Sequence, residues 1–168
     1  MLAQRTDDRK SVLTPDYSDS FDFADLTALG SQRFLVTVDT EEEFDWGSPF
    51  SREGYGTNHL AAVPKFQELC DLHGIKPCYL VDYPIMEDPY GVELVSSYAH
   101  DNRAEIGVQL HPWVNPPFEE TLSRYNSYAC NLPPELERAK LTNLFDTIVK
   151  RTGITPDAYR AGRYGAGK

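Results

Sequence analysis

The chain has 168 residues, 40% of them hydrophobic, and a formal net charge of -10 from 16 Lys and Arg against 26 Asp and Glu. That length suits one domain with a real core, and the charge speaks against nucleic acid or an anionic membrane as a partner, because phosphate binding calls for a positive footprint. No stretch approaches the roughly 20 apolar residues of a membrane helix, so no membrane insertion is expected.

Residues 1–30 are polar and acidic with little periodicity, which reads as a flexible leader closing in a short helix around FADLTAL. They contain no apolar core of a secretory signal, so a cytoplasmic location is expected. Residues 31–168 form the structured portion. FLVTV, from Phe34, is a short β-rich apolar run of the kind a parallel strand shows when both faces are covered. After a Gly- and Pro-containing loop, AAVPKFQELCDLHG predicts a helix with Val63, Phe66, Leu69 and Cys70 inward and Gly74 as its stop.

IKPCYLV reads as a second strand ending at Asp82 and Tyr83. DPYGVELVSSYAHDN predicts a helix capped by Asp88, with Pro89 at its first position and Val92, Val95 and Ala99 inward. AEIGVQLH is a third strand, and the long aromatic and Pro-rich segment after it has the length of a functional loop. PPELERAKLTNLFDTIVKRTG predicts the clearest helix, with Leu136, Leu144, Phe145, Ile148 and Val149 inward and Gly153 at its end, and DAYRAGRYG a fourth strand and its exit. Strand and helix alternate throughout, the mark of an α/β fold with a parallel sheet. Three cysteines outside any CxxC pattern suggest neither a disulfide framework nor a thiolate zinc site, and Cys70 and Cys78 read as core residues.

In parallel α/β folds ligands bind at the carboxyl ends of the strands. Here those ends carry Asp39, then Asp82 and Tyr83, then Gln109 and His111, then Arg160 and Arg163. Asp39 and Glu41 share a side if the extended geometry persists, and two such carboxylates can divide the work of binding a cation and acting as base. The bland alternative is a solvated acidic loop, which is the expectation for Glu42 and Glu43. His111 would share its side with Gln109, as a metal ligand or as a capped loop histidine. Arg160 could orient Asp39 through a bidentate pair, or form an ordinary salt bridge. Asp45, Trp46, Gln109, Trp113, Arg163 and Tyr164 are candidates for a substrate wall, since loop aromatics at a polar mouth suit the C–H faces of sugars.

The order of VTVDTEEEFDW, KPCYLVDYP, EIGVQLHPWVNPPF and YRAGRYGAG resembles the polysaccharide deacetylases of carbohydrate esterase family 4, the NodB homology domain, and its WalW-like branch most. The resemblance covers residues 33–167. It implies a distorted (β/α) barrel of seven parallel strands, about four of them present here, and hydrolysis of N-acetyl groups from an amino-sugar glycan by metal-assisted water attack. On that resemblance Asp39 is the base, Glu41 and His111 hold a divalent metal such as zinc, and Arg160 contacts the base. Gln109 stands where the family has its first metal-binding histidine, and Trp113 stands at the later one. The motifs that would supply an acid histidine have no counterpart, so the expectation is an N-terminal portion of a longer chain, which supplies the remainder of the barrel. The alternatives are a catalytically inactive carbohydrate-binding module on the same scaffold and a metal-independent amide hydrolase.

Overall fold

The computed structural model describes residues 30, 31 and 34–166. The expected leader, apart from Gly30, and the helix around FADLTAL lie outside the described residues. From residue 34 onward the described chain falls within one compact unit, Arg33–Lys168. Its elements in order are β1 (Thr37–Thr40), α1 (Val63–Leu72), β2 (Cys78–Val81), α2 (Tyr83–Glu87), α3 (Pro89–His100), β3 (Glu105–Leu110), α4 (Pro134–Thr152) and β4 (Tyr159–Ala161). The four strands form one all-parallel sheet in the order β1-β2-β3-β4, curled like half a barrel. Because the order follows the sequence without reversal, there is no switch point as in an open doubly wound sheet; each strand end follows its neighbour around one mouth.

β2 is buried at every position and β3 at all but Glu105, as central parallel strands should be. β1 begins later than the apolar run suggests. Phe34 and Leu35 are exposed, and the paired segment is TVDT. The reason lies in the partner: Pro77 has no N–H to give, so the ladder to β2 opens only where Cys78 N–H donates to Val36 O at 2.9 Å.

Helix boundaries follow local chemistry. Asp82 caps α2 by accepting from Ile85 N–H, and Asp88 caps α3 by accepting from Tyr90 N–H with Pro89 at the first position. Gly74 and Gly153 take positive φ after α1 and α4. In α1 the inward face is Val63, Gln67 and Cys70, whereas Leu69, expected inward, is exposed. A polar partner turns the helix: Gln67 Oε1 accepts from Tyr79 O–H at 2.8 Å, inside the core. Cys70 and Cys78 are buried as expected. Among the described residues no helix is long and apolar enough to cross a membrane.

α4 buries a strict i, i+4 stripe of Leu136, Lys140, Leu144, Ile148 and Thr152, while Phe145 and Val149 are only half-buried. Lys140 is the surprise in that stripe. Its ammonium donates to Pro112 O at 3.0 Å, Asn115 O at 2.6 Å and Pro117 O at 2.7 Å. Those three carbonyls occupy its three protons, so the nearby Glu120 Oε2, at 3.0 Å, is a charge partner rather than a hydrogen-bond acceptor. Burial lowers the Lys140 pKa from its ordinary value against the pull of Glu120. The long loop after β3 is thus nailed to α4, and the loop in turn carries Trp113 beneath the strand ends.

Candidate functional site

Past β1 the backbone stays extended, and alternation sorts the crowd of carboxylates. Glu41 faces the mouth with its side chain 30% exposed, whereas the Glu42 side chain is fully buried on the other side. Glu42 is therefore not the surface residue expected of it. Glu43 is exposed, but its carboxylate accepts from Asn58 Nδ2 and His59 N–H and closes the loop back on itself.

Asp39 and Arg160 form an ion pair through Oδ1 and Nη1, and Arg160 Nη2 donates to Thr37 Oγ1 at 2.7 Å. Arg160 lies on β4 and both partners on β1, three strand spacings away in sheet order. In a flat sheet that would be about 14 Å, farther than an arginine side chain reaches. The sheet curls until its outermost strands touch through side chains, and the strand ends close into a cup.

His111 sits at the centre of that cup. Its Nδ1 lies 2.8 Å from Glu42 Oε2 and 3.7 Å from Asp82 Oδ2, and its Nε2 lies 3.2 Å from Glu41 Oε2. Trp113 stacks on the ring with centroids 4.3 Å apart. On the neighbouring strand end Gly162 presses so close that a Cβ there would overlap both the imidazole and Leu110 O, so only glycine leaves the ring its place. Burial disfavours the imidazolium, but the hydrogen bonds to Glu41 and Glu42 and the charge of Glu42 outweigh it and raise the His111 pKa to about 10. Burial and the bond to Glu42 push Asp82 well above the usual carboxylate range. Glu42 moves the other way: burial opposes its charge, yet the bonds from Asp82 and His111 prevail.

Glu42, Asp82 and His111 form a buried group whose ligand atoms lie within 4.8 Å of one another, and this group could hold a metal ion. Asp82 is also fixed by accepting from Glu42 N–H at 2.9 Å. Two buried oxygens on either side of the imidazole have no partner among the described residues: Glu42 Oε1 and Gln109 Oε1. Buried acceptors are normally satisfied, so these two oxygens fit donors to a cation. Gln109 Nε2 meanwhile donates to Glu41 Oε2 at 2.5 Å.

A cavity of about 140 Å³ opens at this point, walled by Asp39, Glu41, Trp46, Gln109, His111, Arg160, Arg163 and Tyr164 together with Ala161. Every site residue taken from the sequence is in that wall except two. Asp45 is turned away, its carboxylate held by Gly47 N–H and Ser48 O–H. Trp113 is 1% exposed and lies behind His111, where it packs rather than faces a substrate. Comparison with protein-family models, curated proteins and solved structures finds no match to this chain.

Asp82 and Glu42 are what sequence reasoning left out of the site. Asp82 had a signal, being a carboxylate at the end of β2 just as Asp39 is near the end of β1. The signal for Glu42 was the alternation itself, since placing Asp39 and Glu41 outward forces the residue between Glu41 and Glu43 inward.

Proposed function

We propose that this chain carries the cation- and base-bearing groups of a site that removes N-acetyl groups from an amino-sugar glycan, on a (β/α) scaffold of the NodB type. The observation that supports it best is that Asp39, Glu41, His111 and Arg160 share one small cavity beside exposed Trp46 and Tyr164. At about 140 Å³ that cavity is smaller than ordinary ligand pockets, so it suits a substituent such as an acetamido group rather than a whole saccharide.

In this reading Glu41 and His111 would hold a divalent cation on the cavity side, in place of the imidazolium proton that Glu41 Oε2 faces at Nε2, with the Gln109 amide beside them. The set of one imidazole and oxygens fits a borderline or hard divalent ion, and it has fewer nitrogens than a tetrahedral zinc site normally offers. When bound, the cation supplies Lewis acidity, making a water more acidic and polarising the amide carbonyl. Glu42 holds Nδ1 of the ring and so fixes which nitrogen faces the cavity, the usual office of an outer carboxylate, and Asp82 stands behind it. Asp39 takes a proton from the attacking water, and Arg160 keeps its carboxylate aimed at the cavity. Trp46 and Tyr164 supply faces for the sugar ring.

A second reading is favoured by one contact. The short bond from Gln109 to Glu41 satisfies that carboxylate without any cation, as it would in a catalytically inactive glycan-binding module. Titration calorimetry with Mn2+ and Zn2+ on wild type, Glu41→Gln and His111→Gln, run beside an acetate-release assay on an N-acetylated oligosaccharide, separates the two. The deacetylase reading expects binding by wild type that both variants lose, with acetate release. Equal and negligible binding by all three, without acetate release, overturns it in favour of the module.

A further inference from the structure

Trp46 and Arg163 wall the small acidic cavity on one side and, on the other, a second cavity of about 620 Å³. That volume lies within the roughly 300–1,000 Å³ of small-molecule sites. Its floor is aromatic, with Phe44, Trp46 and Phe50 packed edge-to-face or stacked at centroid distances of 4.8 to 6.5 Å. Arg163 and Arg124 are the charged groups in its wall.

Arg163 is held by hydroxyls and aromatic rings, not by a carboxylate. Arg52, Arg103, Arg151 and Arg160 each meet a carboxylate. Arg163 instead donates to two hydroxyls, Ser127 Oγ and Tyr128 O–H, the latter at 2.8 Å, and has no carboxylate within ion-pair distance among the described residues. Its guanidinium lies 4.0 Å from the Tyr128 ring centroid and 5.3 and 5.5 Å from those of Trp46 and Phe50. These partners fix the plane of the group without neutralising it, and three of its five N–H donors remain for a ligand. Burial, together with the like charge of Arg124, lowers the Arg163 pKa. The backbone at Arg163 and Tyr164 takes φ of 56° and 55°, a conformation unfavourable for side chains other than glycine.

We infer that the larger cavity is a subsite for a sugar bearing a carboxylate, a uronic acid type of residue next to the acetamido sugar, read by the Arg163 guanidinium with Arg124 in support. Its ring stacks on the aromatic floor and its carboxylate takes the planar fork of Arg163. This rests on the glycan reading above and narrows it to acidic glycans.

The test is calorimetric binding to the full chain of two tetrasaccharides: one alternating N-acetylglucosamine with glucuronate, the other of N-acetylglucosamine alone. Wild type should bind the acidic probe about tenfold more tightly, as one charge-assisted bidentate contact provides. Arg163→Gln should erase that preference. Arg124→Gln, at an exposed position where folding is not at stake, should cut acidic-probe affinity by about threefold with the neutral probe unchanged. Equal affinity of wild type for the two probes, no binding of either, or an Arg124→Gln effect that is the same on both overturns the inference. No cation is added and no turnover is read, so failure of the deacetylase chemistry would leave this result untouched.

Discussion

His111 divides its two nitrogens between carboxylates of opposite exposure, Glu41 at the cavity and Glu42 in the interior. The two glutamates are neighbours in sequence, yet removing each should have very different consequences. Glu42→Gln takes the buried counter-charge from an imidazole that is only 2% exposed, leaving it Glu41 alone, and leaves the carboxyl of Asp82 without its partner. Breaking a buried pair by deleting one side costs about 3 kcal/mol or more. Glu41→Gln acts on a side chain 30% in solvent, where pairs contribute under about 1 kcal/mol. Urea unfolding of the two variants checks this, and equal destabilisation would mean that Glu42 is not the counter-charge. The pair also shows what could be read in advance: strand alternation was visible in TEEEF, but burial of Glu42 depended on Asp82 and His111 arriving from 40 and 69 residues away.

At the scale of elements, α4 and β2 carry the site without touching substrate. The α4 register was legible from Leu136, Leu144 and Ile148, whereas Lys140 on the same stripe was not, because its partners are carbonyls of a loop 23 to 28 residues earlier. Lys140→Met keeps the volume and removes the donors, so Pro112, Asn115 and Pro117 lose a buried partner and Glu120, its side chain 4% exposed, is left with Arg52 alone as counter-charge. We expect a loss of about 3 kcal/mol, with faster amide exchange confined first to residues 112–120, and unchanged exchange there would show that the loop holds itself. The same limit explains α1: the apolar period placed Leu69 inward, but Tyr79 on β2 claims Gln67 and turns the face. β2 itself makes a separate prediction. Burial raises the Cys78 thiol to about 11 and also raises Cys70, so at pH 8 a thiol reagent should modify half-buried Cys130 well before either of them in native protein. Simultaneous labelling of all three without denaturant would contradict the central place of β2.

Over the whole molecule, the alternation of strands and helices was enough to give a parallel sheet, and the chemistry at its strand ends was enough to give most of the cavity wall. The curl was legible only through the resemblance to a distorted (β/α) barrel, because no single strand encodes it; in the structure it shows in the reach of Arg160 from β4 to Asp39 and Thr37 on β1. That contact permits a test in which stability and function part company. The pair is 30% and 41% exposed, so Arg160→Gln should cost no more than about 1 kcal/mol and leave a cooperative melt. If Arg160 serves chiefly to aim Asp39, acetate release should fall by about a hundredfold, the range associated with misplacing or losing a catalytic base, with binding of the neutral tetrasaccharide unchanged. Arg160→Lys, which restores the charge without the second donor to Thr37, should recover only part of that rate. The opposite pattern, a large stability loss with proportionate loss of activity in both variants, would make the contact a clasp on the curled sheet and leave Asp39 without an orienting partner.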